Sequence, residues 1–312
     1  MRKKSAFLLL LIFFISVTAL GNSSSAFLGD SPGAGPISLE GSDELIMPKM
    51  SFPDEAKAME LFSHLPVYSL NQSIKGAFLF PIHGEASNIS VCISPFDLSS
   101  YLSGYRGTKN FRDGACAKTI PKSNGSTDIN GTSFQLSSTS SGMHSLNFVD
   151  EDNSSMLMSM PWLITDGQTV LQVPRTVKAQ EPFIQVKLNT ILPGNQSKIF
   201  AAIMILRKDY ENASLGMAMN ETSNSLDLTL SLGSKSLQIY GPLKISSELL
   251  MNLLPLLPAN SAVGLQESTQ TGVDLALLTD KPWEKGEYIL TGGIYSPGKG
   301  LLGIKQQEVE VI

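Results

Sequence analysis

The stretch Trp283–Ile312, WEKGEYILTGGIYSPGKGLLGIKQQEVEVI, decides how the rest of the chain is read. Gly286 opens a strand, Ser296-Pro297-Gly298 turns it, and a second strand follows with alternating apolar and polar side chains. A looser copy runs over Ser141–Val173, SGMHSLNFVDEDNSSMLMSMPWLITDGQTVLQV. In each copy a glycine (Gly286, Gly142) is followed two residues later by a ring (Tyr288, His144) and two after that by leucine (Leu290, Leu146). The echo predicts two related β-domains, each closed by the same hairpin.

Upstream of each hairpin the order of segments also repeats. The first module is expected over 73–174, with strands at Ile74–Pro81, Ala86–Ile93 and Thr132–Leu136 and a short helix at Pro95–Tyr105. The second is expected over 175–312. Its strands are Glu181–Leu188, the continuous apolar run Lys198–Leu206, a hairpin of Leu226–Leu232 with Ser236–Tyr240, and Val273–Leu278. Its helix is Ile245–Leu254, stopped by Pro255. The fold class is therefore mainly β. It consists of two tandem immunoglobulin-like β-sandwich modules, each with a short inserted helix. The Cys…Trp…Cys pattern of antibody domains is missing, so the expectation concerns architecture alone.

A chain of 312 residues has room for about two domains. Its beginning reads as an export signal over 1–21: Arg2, Lys3 and Lys4 precede the apolar run Phe7–Leu20, with cleavage after Gly21 or Ala26. At fourteen residues the run falls short of the roughly 20 that span a bilayer. Retention as an anchor is the alternative, and the mature chain is expected to carry no span. Residues 22–72 are rich in Ser, Gly and Pro and read as a flexible stalk, with a short helix over 53–65.

The composition fits an extracellular or cell-surface address. Only 16% of residues are charged, so Ser, Thr, Asn and Gln must supply much of the polar surface. Nine of the fifteen Asn stand in Asn-x-Ser/Thr sequons, the glycosylation candidates in the mature chain being Asn71, Asn88, Asn124, Asn130, Asn153, Asn195, Asn212 and Asn220. Removing the signal leaves 23 − 3 = 20 basic residues against 28 acidic ones, a net charge of −8. Such a chain is a poor partner for phosphate backbones, which argues against nucleic acid. Cys92 and Cys116, the two cysteines of an exported chain, are expected to form one bridge; two buried thiols are the alternative.

The Gly286-Glu287-Tyr288 opener, the turn Asp150–Ser155 leading into Met156–Thr165, and the exit Val173-Pro174 carry a resemblance. Over about residues 74–312 the chain resembles secreted proteins of methanogenic archaea built from tandem immunoglobulin-like modules, a group with no established activity. The resemblance implies a surface address and all-β modules, and it brings no catalytic residues with it. The first module departs from it in having His144 for the expected Tyr and a Cys-bearing loop.

Motifs that carry chemistry are missing from the sequence. His64, His83 and His144 lie at no metal-ligand spacing, and there is no nucleophile elbow, phosphate loop or dinucleotide fingerprint. Asp150 and Asp152, in the acidic turn Asp150–Asn153, are the only metal candidates, for calcium. A turn rich in Asp and Asn needs no ion, however. Trp162 and Trp283 are the candidate rings for a ligand, but both follow proline beside a hairpin and read as core or corner residues. The sequence thus predicts a non-enzymatic, exported protein with a structural or adhesive role, no cofactor, and envelope components or other surface proteins as partners. The alternative is an extracellular module that binds carbohydrate or another small ligand.

Overall fold

The computed structural model of the chain describes residues 37–40, 42–46, 49–51, 64–70, 72–78, 89–95, 116–118, 133–137, 140–151, 155–191, 196–220, 225–232, 235–239, 257–279, 281–296 and 299–312. By their contacts these fall into two units. One holds residues 37–43 and Leu65–Thr165, and the other holds Glu44–His64 and Asp166–Ile312.

In the first unit, β1 (Ile37–Glu40), β5 (Ser73–Phe78) and β8 (Ser133–Ser137) make an antiparallel sheet in the order β1-β5-β8. A second sheet runs through β4 (His64–Ser69), β10 (Ser155–Thr165), β9 (Gly142–Asp150), β6 (Ile89–Pro95) and β7 (Cys116–Lys118), in that order. Its ladders are antiparallel except where β4 lies parallel to β10. Strand β9 is central, and His144 to Val149 are all buried. A buried polar group must find a partner: the Asn147 amide donates to Ser94 Oγ at 2.8 Å.

The second unit repeats this plan. One sheet is β11 (Thr169–Gln172), β13 (Phe183–Thr190) and β19 (Gly272–Leu278), in the order β11-β13-β19. The other is β12 (Thr176–Val177), β21 (Gly300–Val311), β20 (Gly286–Ser296), β14 (Lys198–Leu206) and β18 (Ala262–Ser268), with β12 parallel to β21. Alternation in β13 and β19 sends Ile184, Val186, Leu188, Val273, Leu275 and Leu277 inward, while Gln185, Lys187, Asp274 and Ala276 stay exposed. They meet Phe200, Met204, Tyr288, Leu290, Leu302 and Val309 of the facing sheet in one core. The apolar run of β14 is covered on both faces. Ala202 and Met204 face that core, and Ala201 packs with Ile199, Val263, Leu265 and Tyr295 on the other side.

Strand for strand the two sandwiches correspond: β1 with β11, β4 with β12, β5 with β13, β6 with β14, β7 with β18, β8 with β19, β9 with β20 and β10 with β21. The first strand pairs in one sheet, and a short second segment crosses to lie parallel to the last strand of the other. In the second unit Val173-Pro174 marks this switch, because proline has no N–H to continue the β11 ladder. The chain is two immunoglobulin-like sandwiches.

Several segments differ from expectation. Strand β11 pairs with β13, so 169–172 belongs with the second sandwich rather than ending the first. Within the stretch read as a stalk, β1 pairs with β5, β2 covers Asp43–Ile46, and β3 (Lys49–Ser51) lies parallel to β15 (Ser214–Asn220). Ile37, Leu39, Leu45 and Met50 give this otherwise polar stretch enough apolar character for strand pairing. Strand β15 continues antiparallel into β16 (Ser225–Leu232) and β17 (Lys235–Ile239), an insertion between β14 and β18. Of the helix expected at Pro95–Tyr105, Pro95 ends β6 and the rest lies outside the described residues, as do the helix expected at Ile245–Leu254 and most of 53–65, whose last two residues open β4. The described helix is α1, Arg207–Glu211, at the root of the insertion.

Candidate functional site

The two echoed hairpins are β9–β10 and β20–β21, and their openers are built alike. Gly142 and Gly286 are the positive-φ glycines among the described residues, at φ 125° and 144°. This is backbone that a Cβ disfavours. Two residues on, each ring reaches back four residues. The Tyr288 hydroxyl donates to the Glu284 carbonyl at 3.0 Å, and His144 Nε2 stands 3.0 Å from the Ser140 carbonyl. Tyr288 is a tyrosine corner at the start of β20, the strand before the last of its sandwich, and His144 occupies the same corner in the first module. Burial pushes the Tyr288 phenol up to about 12. Burial likewise holds His144 below the ordinary histidine value, opposed by hydrogen bonds to the backbone of Ser140 and Ser94.

The candidate tryptophans serve these corners. Trp162 is 0% exposed and meets Tyr68 edge-on, with centroids 5.6 Å apart. Trp283 is 4% exposed, stands edge-on to Tyr288 at 5.9 Å, and donates Nε1–H to the Glu181 carbonyl at 3.1 Å. Neither ring face is open to a ligand, which corrects their candidacy as binding residues. The physical reason is area: an indole at a sandwich corner buries more apolar surface than any other side chain there.

The remaining candidates lie elsewhere. Asp150 ends β9, in register with Ser155 and Ile89, while Asp152 is outside the described residues. Among the described residues no three His, Cys, Asp or Glu side chains gather as metal ligands. Cys92 and Cys116 are directly opposed on β6 and β7, with Cα atoms 4.0 Å apart, and are disulfide-bonded. Asn212 sits exposed in the turn after α1, and Asn220 ends β15; Asn71, Asn88, Asn124, Asn130, Asn153 and Asn195 lie outside the described residues.

What sequence reading missed is the outer face of the β11-β13-β19 sheet. The register sets Phe183 opposite Leu278, Gln185 opposite Ala276, Lys187 opposite Asp274 and Asn189 opposite Gly272. Phe183 is 48% and Leu278 53% exposed, an apolar pair at one end of the strip. At the other end an open groove of about 590 Å³ is lined by Lys187, Asn189, Thr269, Gln270, Thr271 and Asp274. Gly272 matters to this end: a Cβ there would stand 1.7 Å from Asn189 Oδ1, so only glycine lets the Asn189 carboxamide lie over the strand. The turn beside it is pinned from three sides. The buried Lys198 Nζ donates to the Thr269 carbonyl at 3.4 Å, the Thr190 N–H to the Thr271 carbonyl at 2.8 Å, and the Gln270 N–H to Ser268 Oγ at 3.0 Å. No ion pair joins Lys187 to Asp274 among the described residues. The alternation of β13 foretold which of its residues face out. It could not tell that a turn eighty residues on lies beside them.

A second polar cluster holds a strand in place. Ile46 donates its N–H to Gln306 Oε1 at 2.7 Å, and its carbonyl accepts from the Tyr210 hydroxyl at 2.6 Å and Gln306 Nε2 at 3.4 Å. Gln306 Nε2 also donates to the Tyr210 oxygen at 3.1 Å, and burial pushes the Tyr210 phenol well up. This arrangement fixes the backbone of Ile46 at both its N–H and its carbonyl.

No protein-family model and no curated protein matches the chain. Solved structures similar to it include a segment of two fibronectin type-III domains from chicken tenascin, at 8% identity and TM-score 0.22, over 77% of this chain and 93% of that one. The fibronectin domains FN1–FN3 of chicken CNTN1 are similar at 8% identity and TM-score 0.19, over 85% and 68% of the two chains. The Yersinia pseudotuberculosis adhesin InvE is similar at 8% identity and TM-score 0.21, over 78% and 56%. At such superposition these likenesses add nothing to the immunoglobulin-like topology already given by the strand order. No described helix is long and apolar enough to cross a membrane.

Proposed function

We propose that this chain is an exported, non-enzymatic protein of the cell surface or extracellular space, whose two sandwich modules serve a structural or adhesive role. The observation that carries the reading is the Cys92–Cys116 bridge between adjacent strands, which belongs to an oxidising compartment. The basic and apolar beginning of the chain and its nine sequons support the same address. The non-enzymatic half of the reading rests on where the reactive side chains go: His144, Tyr288 and both tryptophans are spent on corners. Partners are envelope components or other surface proteins, met by exposed strand faces.

Fractionation of the native host, with intact mass measured on the recovered protein, tests this. The expected result is protein in the envelope or medium, shortened at Gly21 or Ala26, oxidised at both cysteines, and heavier than its sequence by glycan. Cytosolic protein with two reduced cysteines and unmodified mass would falsify it.

A further inference from the structure

We propose that the outer face of the β11-β13-β19 sheet binds a linear oligosaccharide laid along β13. From Phe183 to Asn189 is six residues, about 20 Å of strand at 3.3 Å each, the length of a short glycan rather than of a single sugar. One end offers a ring, with Phe183 flanked by Leu278 across the strand, against which the C–H-lined face of a sugar can pack. The other end offers paired-atom hydrogen-bonding groups. The carboxylate of Asp274 and the carboxamides of Asn189 and Gln270 each present two polar atoms to neighbouring hydroxyls, and Lys187 and the threonines of the turn add more.

Three features favour a neutral glycan over other occupants. Lys187 and Asp274 sum to no charge at the groove, so neither a polyanion nor a polycation is selected. The backbone of the Thr269–Thr271 turn is held before any ligand arrives by Lys198, Thr190 and Ser268, and Gly272 leaves room for the Asn189 carboxamide over the strand. A protein interface gathers its aromatic anchors at the centre of an apolar patch with a polar rim. Here the apolar pair is at one end and half the strip is polar.

The proposal rests on the extracellular reading for its setting, since it names the ligand of an adhesive module. Its test uses purified full-length protein and so stands apart from localisation. Chitohexaose, cellohexaose, maltohexaose and mannohexaose are titrated separately by calorimetry and by ligand-observed NMR. Saturable binding of at least one is expected, weakened about tenfold or more by Asp274→Ala and by Phe183→Ala, with Gln266→Ala on β18 unchanged. Gly272→Ala, which must displace Asn189, weakens binding too; unchanged unfolding midpoints in the exposed-site variants Asp274→Ala and Phe183→Ala exclude misfolding. The idea is overturned if no probe binds up to about 10 mM, or if binding ignores both exposed-site variants. Capture of a surface protein that Phe183→Asp abolishes, without any glycan binding, would also overturn it and give the face to a protein partner. A chain found in the cytosol would end the extracellular reading while leaving a measured glycan affinity intact.

Discussion

At the scale of single residues, the two corners do the same job with different chemistry, and pH separates them. His144 is held below the ordinary value of 6.5 by burial, so the folded state favours its neutral form. The stability it contributes is complete above the unfolded value of about 6.5 and is lost as pH falls through that value toward the depressed folded one. Denaturant unfolding followed from pH 7.5 to 5 should therefore show the first module weakening as the solution acidifies. His144→Tyr installs the ring found in the second module and should flatten that dependence between pH 7 and 5. An unchanged slope in the variant would assign the effect to other groups. The hairpin echo was legible in the sequence for the same local reason. A glycine at positive φ and a ring bonded four residues back must sit at fixed spacing, and spacing survives in sequence. The tryptophans kept a ligand role open in the sequence because a large ring is equally good for a corner and for a ligand; only its surroundings decide, and those come from distant strands.

At the scale of elements, glycine also governs how closely the sheets approach. Gly292 of β20 faces Leu171 and Leu188 of the opposite sheet, and a Cβ there would lie 2.9 Å from a methyl of each. Gly292→Ala should cost about 1–3 kcal/mol, read from the shift in denaturant midpoint, because two packed leucines must move. Gly293→Ala, with nothing within 4 Å of the added carbon, should cost far less and serves as the control. Long strands with clear alternation, such as β13 and β19, could be read from their residues. The sheet switch at Pro174, the three-residue β7 and the insertion strand β15 could not. Their membership is settled by pairing with residues far along the chain, and three to seven residues of mixed character carry too little periodicity. The face proposed to take a glycan was hidden for a related reason. Lys187, Asn189, Gln270 and Asp274 look like ordinary solvated positions until β13 and β19 are set side by side.

At the scale of the whole molecule, the bridge closes a loop within one module, and its sequence separation of 24 residues sets its worth. In the chain-entropy model it stabilises the first module by roughly 3 kcal/mol. Reduction, or Cys92→Ala with Cys116→Ala, should lower that module's unfolding midpoint accordingly while leaving the second module's transition in place. Two transitions moving together would mean that the modules do not unfold independently. Arg207, which holds Glu211, Glu287 and Glu308 at the root of the insertion at 2.7 to 3.1 Å, offers no comparable leverage, since the network is open to solvent and screened by salt.

The parallel pairing of each module's early crossing segment with its last strand also fixes when a module can exist. In the second, Glu310 N–H bonds the Arg175 carbonyl at 2.8 Å and Ile312 N–H the Val177 carbonyl at 2.9 Å, across more than the whole length of the module's other strands. Contacts of such sequence separation form late and slowly, because the chain between them must be ordered first. A ribosome that still holds β21 therefore holds an unclosed sandwich. Such a module stays open until that strand is delivered, and only then sets into shape.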